Sequence, residues 1–229
     1  SKGGKLFVAA GPVPDSNLDN LYSLLSDYGI EANAGVVVEP DREHYSFQGP
    51  LALLPDMNSH AITDPLMDEN YYPTMPISLG LTVPEDSERV TTLLTTSESA
   101  FSKLDGYDMT DYEKEDGDID GPFALAVSID TAGEGQIVWF TSSHFLDDMH
   151  NAVSSGANAN LSMNALSSLI GETEAMAIRS KSLNYNYLTI SDSTASMLKV
   201  LMIGAFPLAY LGIGAAVILR RRRLQNEPV

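Results

Sequence analysis

From Val200 to Leu219 the chain reads VLMIGAFPLAYLGIGAAVIL, with no charged residue, and Arg220, Arg221, Arg222 and Arg223 follow at once. At ~1.5 Å of rise per helical residue, such a run matches a hydrocarbon core of roughly 30 Å. A helix on the surface of a soluble protein keeps a polar stripe, and this run has none. Gly204, Pro207, Gly212 and Gly214 would weaken a helix in water. In lipid the backbone has no competing hydrogen-bond partner, and such residues are tolerated. The sequence therefore predicts a transmembrane helix over 200–219.

The flanks set its direction. Arginine clusters stay cytoplasmic, whereas the preceding side offers only Lys199, whose aliphatic stem can snorkel. Residues 220–229 are thus expected to form a cytoplasmic tail and 191–199 a linker. Residues 1–190 are expected to form an extracytoplasmic domain at the cell membrane. Tyr185 and Tyr187 suit the outer interface and a plain β-strand equally well. A lobe of this size is not expected to cross a bilayer ahead of its only anchor without an upstream signal. Ser1 to Gly4 carries no basic-plus-apolar leader, so either a signal was removed or the chain is the C-terminal part of a longer protein whose first transmembrane helix and first half precede Ser1, which the strand opening at Lys5 favours. Within the span Gly204, Leu208 and Gly212 share a helical row, suited to packing on another helix or to facing lipid.

Charge narrows the partners. Lys and Arg number 13 against 31 Asp and Glu, a net charge of -18. The terminal arginines make the remainder more acidic still. Such a surface repels phosphate backbones, which excludes nucleic acid as a partner of the lobe. The chain has no cysteine, so disulfides, thiolate metal sites and a Cys nucleophile are all excluded. At 44% hydrophobic residues it can bury a core.

The lobe reads as α/β. Leu6 to Ala10 is a continuous apolar run ended by Gly11 and Pro12, the pattern of a strand covered on both faces, which implies a parallel sheet. Asp15 to Asn17 offer cap chemistry. Leu18, Leu21, Tyr22, Leu25 and Tyr28 then form one helical stripe that stops at Gly29. With Val36 to Val38 beyond, 6–38 reads as strand, helix, strand with a right-handed crossover. Leu51 to Leu54 suggests a short strand in a proline-punctuated middle. Further strands are expected at Arg89 to Thr95, Phe123 to Ile129 and Gly135 to Thr141. An amphipathic helix follows at Leu161 to Ile170, closed by Gly171, then a strand-like 175–190. The expected architecture is a mostly parallel sheet with flanking helices.

The order of blocks is itself informative: GG-K-LFV-A-GP, LDNLYSLLSDYGIEANAGVVVEP, SHAITDPL, GPFALAVSI, GQIVWFTSSHFLDD, NLSMNALSSLIGE, IRSKSL, and an apolar span ending in RRRR. This succession resembles the C-terminal part of the GldG-like proteins, the auxiliary membrane component of gliding-motility-type ABC transport systems. The resemblance implies an extracytoplasmic domain similar in fold to class I glutamine amidotransferases, held between membrane helices. It also implies work beside an ABC permease and a separate ATPase subunit. Two positions depart from the pattern: Ala61 stands where the family usually has Pro, and His144 where an Asp is common.

Few residues offer chemistry of their own. Amidotransfer needs a Cys nucleophile, which is absent, and no G-x-x-x-x-G-K-[ST] phosphate loop occurs. Ser142, Ser143 and His144 follow an apolar strand, yet the frame F-T-S-S-H lacks the glycines of a nucleophile elbow, so a helix-capping serine is the expectation. His44, His60 and His150 are scattered and match no zinc spacing. Asp116, Asp118, Asp120 and Gly121 copy the start of a calcium loop. The position of its bidentate Glu is Val127, and the run reads better as a solvated acidic loop. Asn160-Leu161-Ser162 is a glycosylation sequon at a helix start.

These features point to a non-catalytic, membrane-anchored subunit with no cofactor, whose outer lobe binds a substrate or partner. The alternatives are a stand-alone surface receptor and a tethered hydrolase using Ser143 and His144.

Overall fold

The computed structural model describes residues 3–14, 18–84, 87–171 and 192–225. The chain divides into two units, Ser1–Thr189 and Ile190–Val229. The first runs in the order β1 (Lys5–Ala9), α1 (Asp19–Ser26), β2 (Glu31–Ala32), β3 (Val36–Val38), β4 (Ala52–Leu53), β5 (Asp56–Met57), α2 (Asp64–Asp68), β6 (Met75–Pro76), β7 (Leu81–Thr82), β8 (Val90–Thr95), β9 (Phe101–Lys103), β10 (Ile119–Asp120), β11 (Ala124–Thr131), β12 (Gly135–Phe140), α3 (Asp148–Val153) and α4 (Ala157–Ile170). The strand-like reading of 175–190 and the cap reading of Asp15 to Asn17 fall outside the described residues.

The lobe is α/β, but its sheet is not mostly parallel. Seven strands form the main sheet, with β1, β12, β11, β7 and β2 in line, β8 joining at β11 and β5 pairing with β8. Among the described residues only β1 and β12 run parallel, Lys5 opposite Gln136 through Ala9 opposite Phe140. Every other pairing described is antiparallel. The right-handed crossover over 6–38 does not form. β2 returns to the main sheet beside β7, while β3 leaves it to pair with β9 in a separate three-stranded sheet.

Both faces of the sheet are nevertheless covered, which is why its strands read as unbroken apolar runs. On β12, Val138 and Phe140 join the core cluster that includes Leu161, Ala165 and Leu169 of α4. Ile137 and Trp139 join the cluster that includes Leu25 of α1. Burial of side chains such as Trp139 and Phe140, both 0% exposed, contributes roughly 1.5–3 kcal/mol each. On β11 a register shift at Ala126 sends Leu125 and Ala126 to the same cluster, before Val127 and Ile129 resume the other.

Glycines end the two principal helices. Gly29, at φ 77, follows α1, and the Ile30 N–H returns to the Leu25 carbonyl at 3.2 Å. Gly171, at φ 78, closes α4 with its N–H on the Ser167 and Ser168 carbonyls. α4 starts four residues before the predicted Leu161, directly after Gly156, because Asn158 belongs to its first turn. Asn158 is 1% exposed. It accepts from the Thr74 N–H at 2.8 Å and donates to the Phe145 carbonyl at 2.9 Å, tying α4 to two loops. The Asn160 sequon therefore sits inside a helix.

In the second unit α5 (Asp192–Lys199) occupies the predicted linker. A π-helical stretch follows at Val200–Ala205, then α6 (Phe206–Gln225). Pro207 supplies a reason for the wide turn. It has no N–H to give, and its ring crowds the carbonyl four residues back, which a π turn relieves. Gly204 lies within that turn, Gly212 and Leu219 within α6, and the helix continues through the arginine cluster. Ser193–Arg221 is long and apolar enough to cross a membrane, with a mean hydropathy of 2.0 in its most apolar window and none of that window buried.

Candidate functional site

Open α/β sheets place ligands in the crevice beyond the carboxyl ends of their parallel strands. Here β1 exits at Gly11 and β12 at Ser142, and the chain itself fills the space between them. A Cβ at Gly11 would lie 2.8 Å from the Thr141 carbonyl oxygen and 3.2 Å from that of Ile77. The Ser142 hydroxyl donates to the Pro76 carbonyl, and the Leu79 N–H to that of Thr141 at 3.0 Å. Ile77 sits at φ 47, a left-handed conformation costing a β-branched residue roughly 1–2 kcal/mol. Its N–H bond to the Leu51 carbonyl, 2.8 Å, helps hold it there.

Beside this plug a cavity of about 610 Å³ opens between the loop after β1, the start of α1, the turn before β3 and the turn at 104–108. A second cavity of about 270 Å³ shares Val36, Gly106 and Tyr107 with it. Two tyrosines frame the larger one. Tyr22 OH donates to the Gly11 carbonyl at 3.0 Å and Tyr107 OH to that of Pro12 at 2.9 Å. Burial, and secondarily the neighbouring Tyr107, push the Tyr22 hydroxyl up to about 12. Burial raises Tyr107 as well. Gly35 lets the wall pass close to β9: at φ 96, a Cβ there would stand 2.3 Å from the Lys103 carbonyl oxygen. Tyr107 and Gly35 did not stand out in the sequence, and Gly11, Pro12 and Tyr22 were read only as a strand end and part of a helix stripe. The available signals were a GP pair ending an apolar strand and an isolated Gly before a Val run.

The acidic loop is organised by lysines. Lys103, at the end of β9 and 1% exposed, places its ammonium 3.2 Å from Glu115, 3.5 Å from Asp111 and 2.6 Å from the Glu113 carbonyl. Burial alone would lower this ammonium, but the Glu115, Asp111 and Asp118 carboxylates outweigh it and raise it above the ordinary Lys value. Of the calcium-loop candidates, Asp118 accepts the Leu104 and Glu115 N–H groups, each at 2.9 Å. Asp120 pairs with Lys114, and Asp116 is exposed. Among the described residues no group of three or more His, Cys, Asp or Glu is placed to hold a metal ion.

The serine–histidine segment does not assemble a catalytic set. Ser142 is buried and committed to Pro76. Ser143 is exposed, with relaxed right-handed dihedrals of -86° and -26°, unlike the strained turn of a nucleophile elbow. Nor does its side chain cap the short turn that follows, contrary to the capping expectation. His144 Nδ1 lies 3.2 Å from Asp147. His150 is buried, and its Nδ1 has no partner among the described residues.

A third cavity, of about 700 Å³, includes Arg42, His44, Asp56, Tyr71 and Tyr72 in its wall. Arg42 donates to the Tyr45 carbonyl at 2.8 Å and lies 4.7 Å from the centre of that ring. His44 stands between Asp41 at 3.1 Å and Asp56 at 3.5 Å. Below this turn the 1% exposed Glu39 accepts from the Asp41 N–H at 3.1 Å and the Ser97 hydroxyl at 2.8 Å.

No protein-family model matches the chain, and no curated protein matches it. Among solved structures it is similar to a chain described as "mmIFT52 N-terminal domain", with a TM-score of 0.51 and 18% sequence identity. The match covers 73% of this chain and 65% of that one, so this chain spans just under two thirds of its length. At that identity the likeness is one of fold alone.

Proposed function

We propose that the chain is a non-catalytic, membrane-anchored auxiliary subunit of an ABC transport complex. In this reading α6 crosses the cell membrane, the α/β lobe lies outside, and the arginine cluster lies in the cytoplasm. The observation that carries the reading is the uncharged run Val200–Leu219 closed by Arg220–Arg223, joined to a strongly acidic lobe. The succession of sequence blocks that resembles the GldG-like proteins supports the transporter assignment and a relation to the class I glutamine amidotransferase-like architecture. Without a phosphate loop, the energy for transport comes from a separate ATPase, and a permease supplies the path. The plugged crevice and the unassembled Ser143 and His144 favour binding over turnover for the lobe.

Gentle detergent extraction of the native membranes, followed by mass spectrometry of whatever accompanies this chain, tests the assignment. A permease and a nucleotide-hydrolysing subunit are expected. Their absence, with the chain isolated and intact, would leave the receptor reading, which the cavity beside β1 also supports. Protease shaving of intact cells is expected to remove the lobe and spare residues 220–229.

A further inference from the structure

We propose that the open edge of β1 is an interface between two copies of this chain, joined as antiparallel strands about a twofold axis at Phe7. The proposal goes beyond the transport assignment and does not depend on it.

β1 ends the line of strands in the main sheet and, among the described residues, pairs with β12 alone. The Gly4 carbonyl accepts from the Gln136 N–H at 3.3 Å, and the Ala10 N–H donates to the Phe140 carbonyl at 3.0 Å. Backbone groups alternate in direction along a strand. Leu6 and Val8 therefore also face β12, while the N–H and C=O groups of Lys5, Phe7 and Ala9 face away from it. None of those six groups has a hydrogen-bond partner among the described residues. The two faces of the strand are covered, Phe7 and Ala9 in the cluster that includes α4 and Val8 in the one that includes α1. The edge is not, and Leu6 upon it is 40% exposed.

The other ends of this sheet are blunted. β2 and β5 have two residues each and carry the exposed Glu31 and Asp56. β1 has five residues in unbroken register, no proline and no bulge, and its single charge stands at its first residue. An apolar edge of this kind is a template for another strand.

The strand that fits is β1 itself. With Phe7 opposite Phe7 of the second copy, Lys5 falls opposite Ala9. Each of these pairs exchanges two N–H to C=O bonds, which satisfies all six outward groups of both copies. Leu6 falls opposite Val8 of the second copy on the same face, and its exposed surface is covered there. Charge selects this surface too. In a chain with a net charge of -18, most contacts between copies would set carboxylates against carboxylates. Here the one charge, the Lys5 ammonium, faces an alanine. The contact is isologous and closes at two copies.

Light scattering of the full chain in detergent micelles, at about 100 μM, is expected to give twice the chain mass. Lys5→Pro removes an outward donor and leaves the bonds to β12 in place, and Leu6→Glu changes an exposed side chain. Each is expected to weaken the association at least about tenfold with the circular dichroism unchanged. The chain has no cysteine, so oxidising a mixture of differently tagged L6C and V8C chains reads the register and separates this contact from any association through the apolar helix. A mixed disulfide dimer should form in excess of that from T91C, an exposed position three strands away. A monomer mass, a dimer that both Lys5→Pro and Leu6→Glu leave intact, or mixed cross-linking no greater than that of T91C would each overturn the proposal. Capture of L6C in native membranes by a different protein instead of a second copy would overturn it as well.

Discussion

The Lys103 ammonium lies 3.2 Å from the Glu115 carboxylate at the end of a side chain that is 1% exposed. In a chain with a net charge of -18, this internal cation draws Asp111, Glu115 and the Glu113 carbonyl onto β9 and gives the acidic loop a fixed course. In Lys103→Met those carboxylates lose their counter-charge, but being about half exposed they rehydrate. The expected outcome is local loosening: faster limited proteolysis within 109–118, while the far-ultraviolet circular dichroism of the lobe changes little.

The titrations of His44, His60 and His150 should separate into two groups. Burial would lower His44, but Asp41, by hydrogen bond and by charge, and Asp56 outweigh it and raise it above the ordinary 6.5. Burial lowers His60 and His150. The stabilisation from protonated His44 is therefore fully present below pH 6.5 and lost as pH rises through its raised value. That from neutral His60 and His150 is present above 6.5 and lost as pH falls toward their lowered values. The ring resonances of His44, His60 and His150 followed by NMR should show one midpoint above 6.5 that disappears in His44→Gln and two below it. A His44 midpoint under 6.5 would contradict the Asp41–His44–Asp56 geometry.

Phe140 is the hinge of the larger core cluster, its ring 4.7 Å from that of Phe145 and 5.4 Å from that of Phe7. Phe140→Ala should cost about 3–5 kcal/mol in denaturant unfolding, since this rigid site cannot collapse around the void. Val13→Ala, at an exposed position in the loop after β1, should change stability by less than about 0.5 kcal/mol.

The apolar helix makes its own prediction. Ala209→Arg places a charge near the middle of the run, at a cost of about 2.5–3.5 kcal/mol for insertion. Alkaline carbonate washing should leave the parent chain in the membrane pellet and release a larger fraction of the variant. Ser196→Arg, on α5 ahead of the apolar run, should change retention little.

Much of the lobe's grammar was legible. Apolar runs located β1, β8, β11 and β12, a 3.6-residue stripe located α1, and Gly29 and Gly171 marked helix ends. Strand direction was not legible from those runs, because coverage on both faces makes a strand uniformly apolar whichever way its neighbour points. The missing cue lay in Ala132-Gly133-Glu134, a three-residue connection in which Gly133 and Glu134 take φ values of 75 and 59. That is hairpin chemistry, and it fixes β11 and β12 as antiparallel. The cavity beside β1 was illegible for another reason. Asp19, Asn33 and Tyr107 are far apart in sequence, and no spacing rule joins a helix start to a distant turn. The acidic loop was read as free carboxylates because a lysine at the end of an ordinary strand gives no hint that it points inward.

The pairing of Lys5–Ala9 with Gly135–Phe140 bears on how the molecule comes into being. During synthesis β1 meets its parallel neighbour only after some 130 further residues have left the ribosome, whereas β11 and β12 can zip together as soon as they emerge. Closing so long a loop is slow. Phe7 and Val8 thus wait for β12 long after they are made, a window in which a chaperone can hold the nascent polypeptide open.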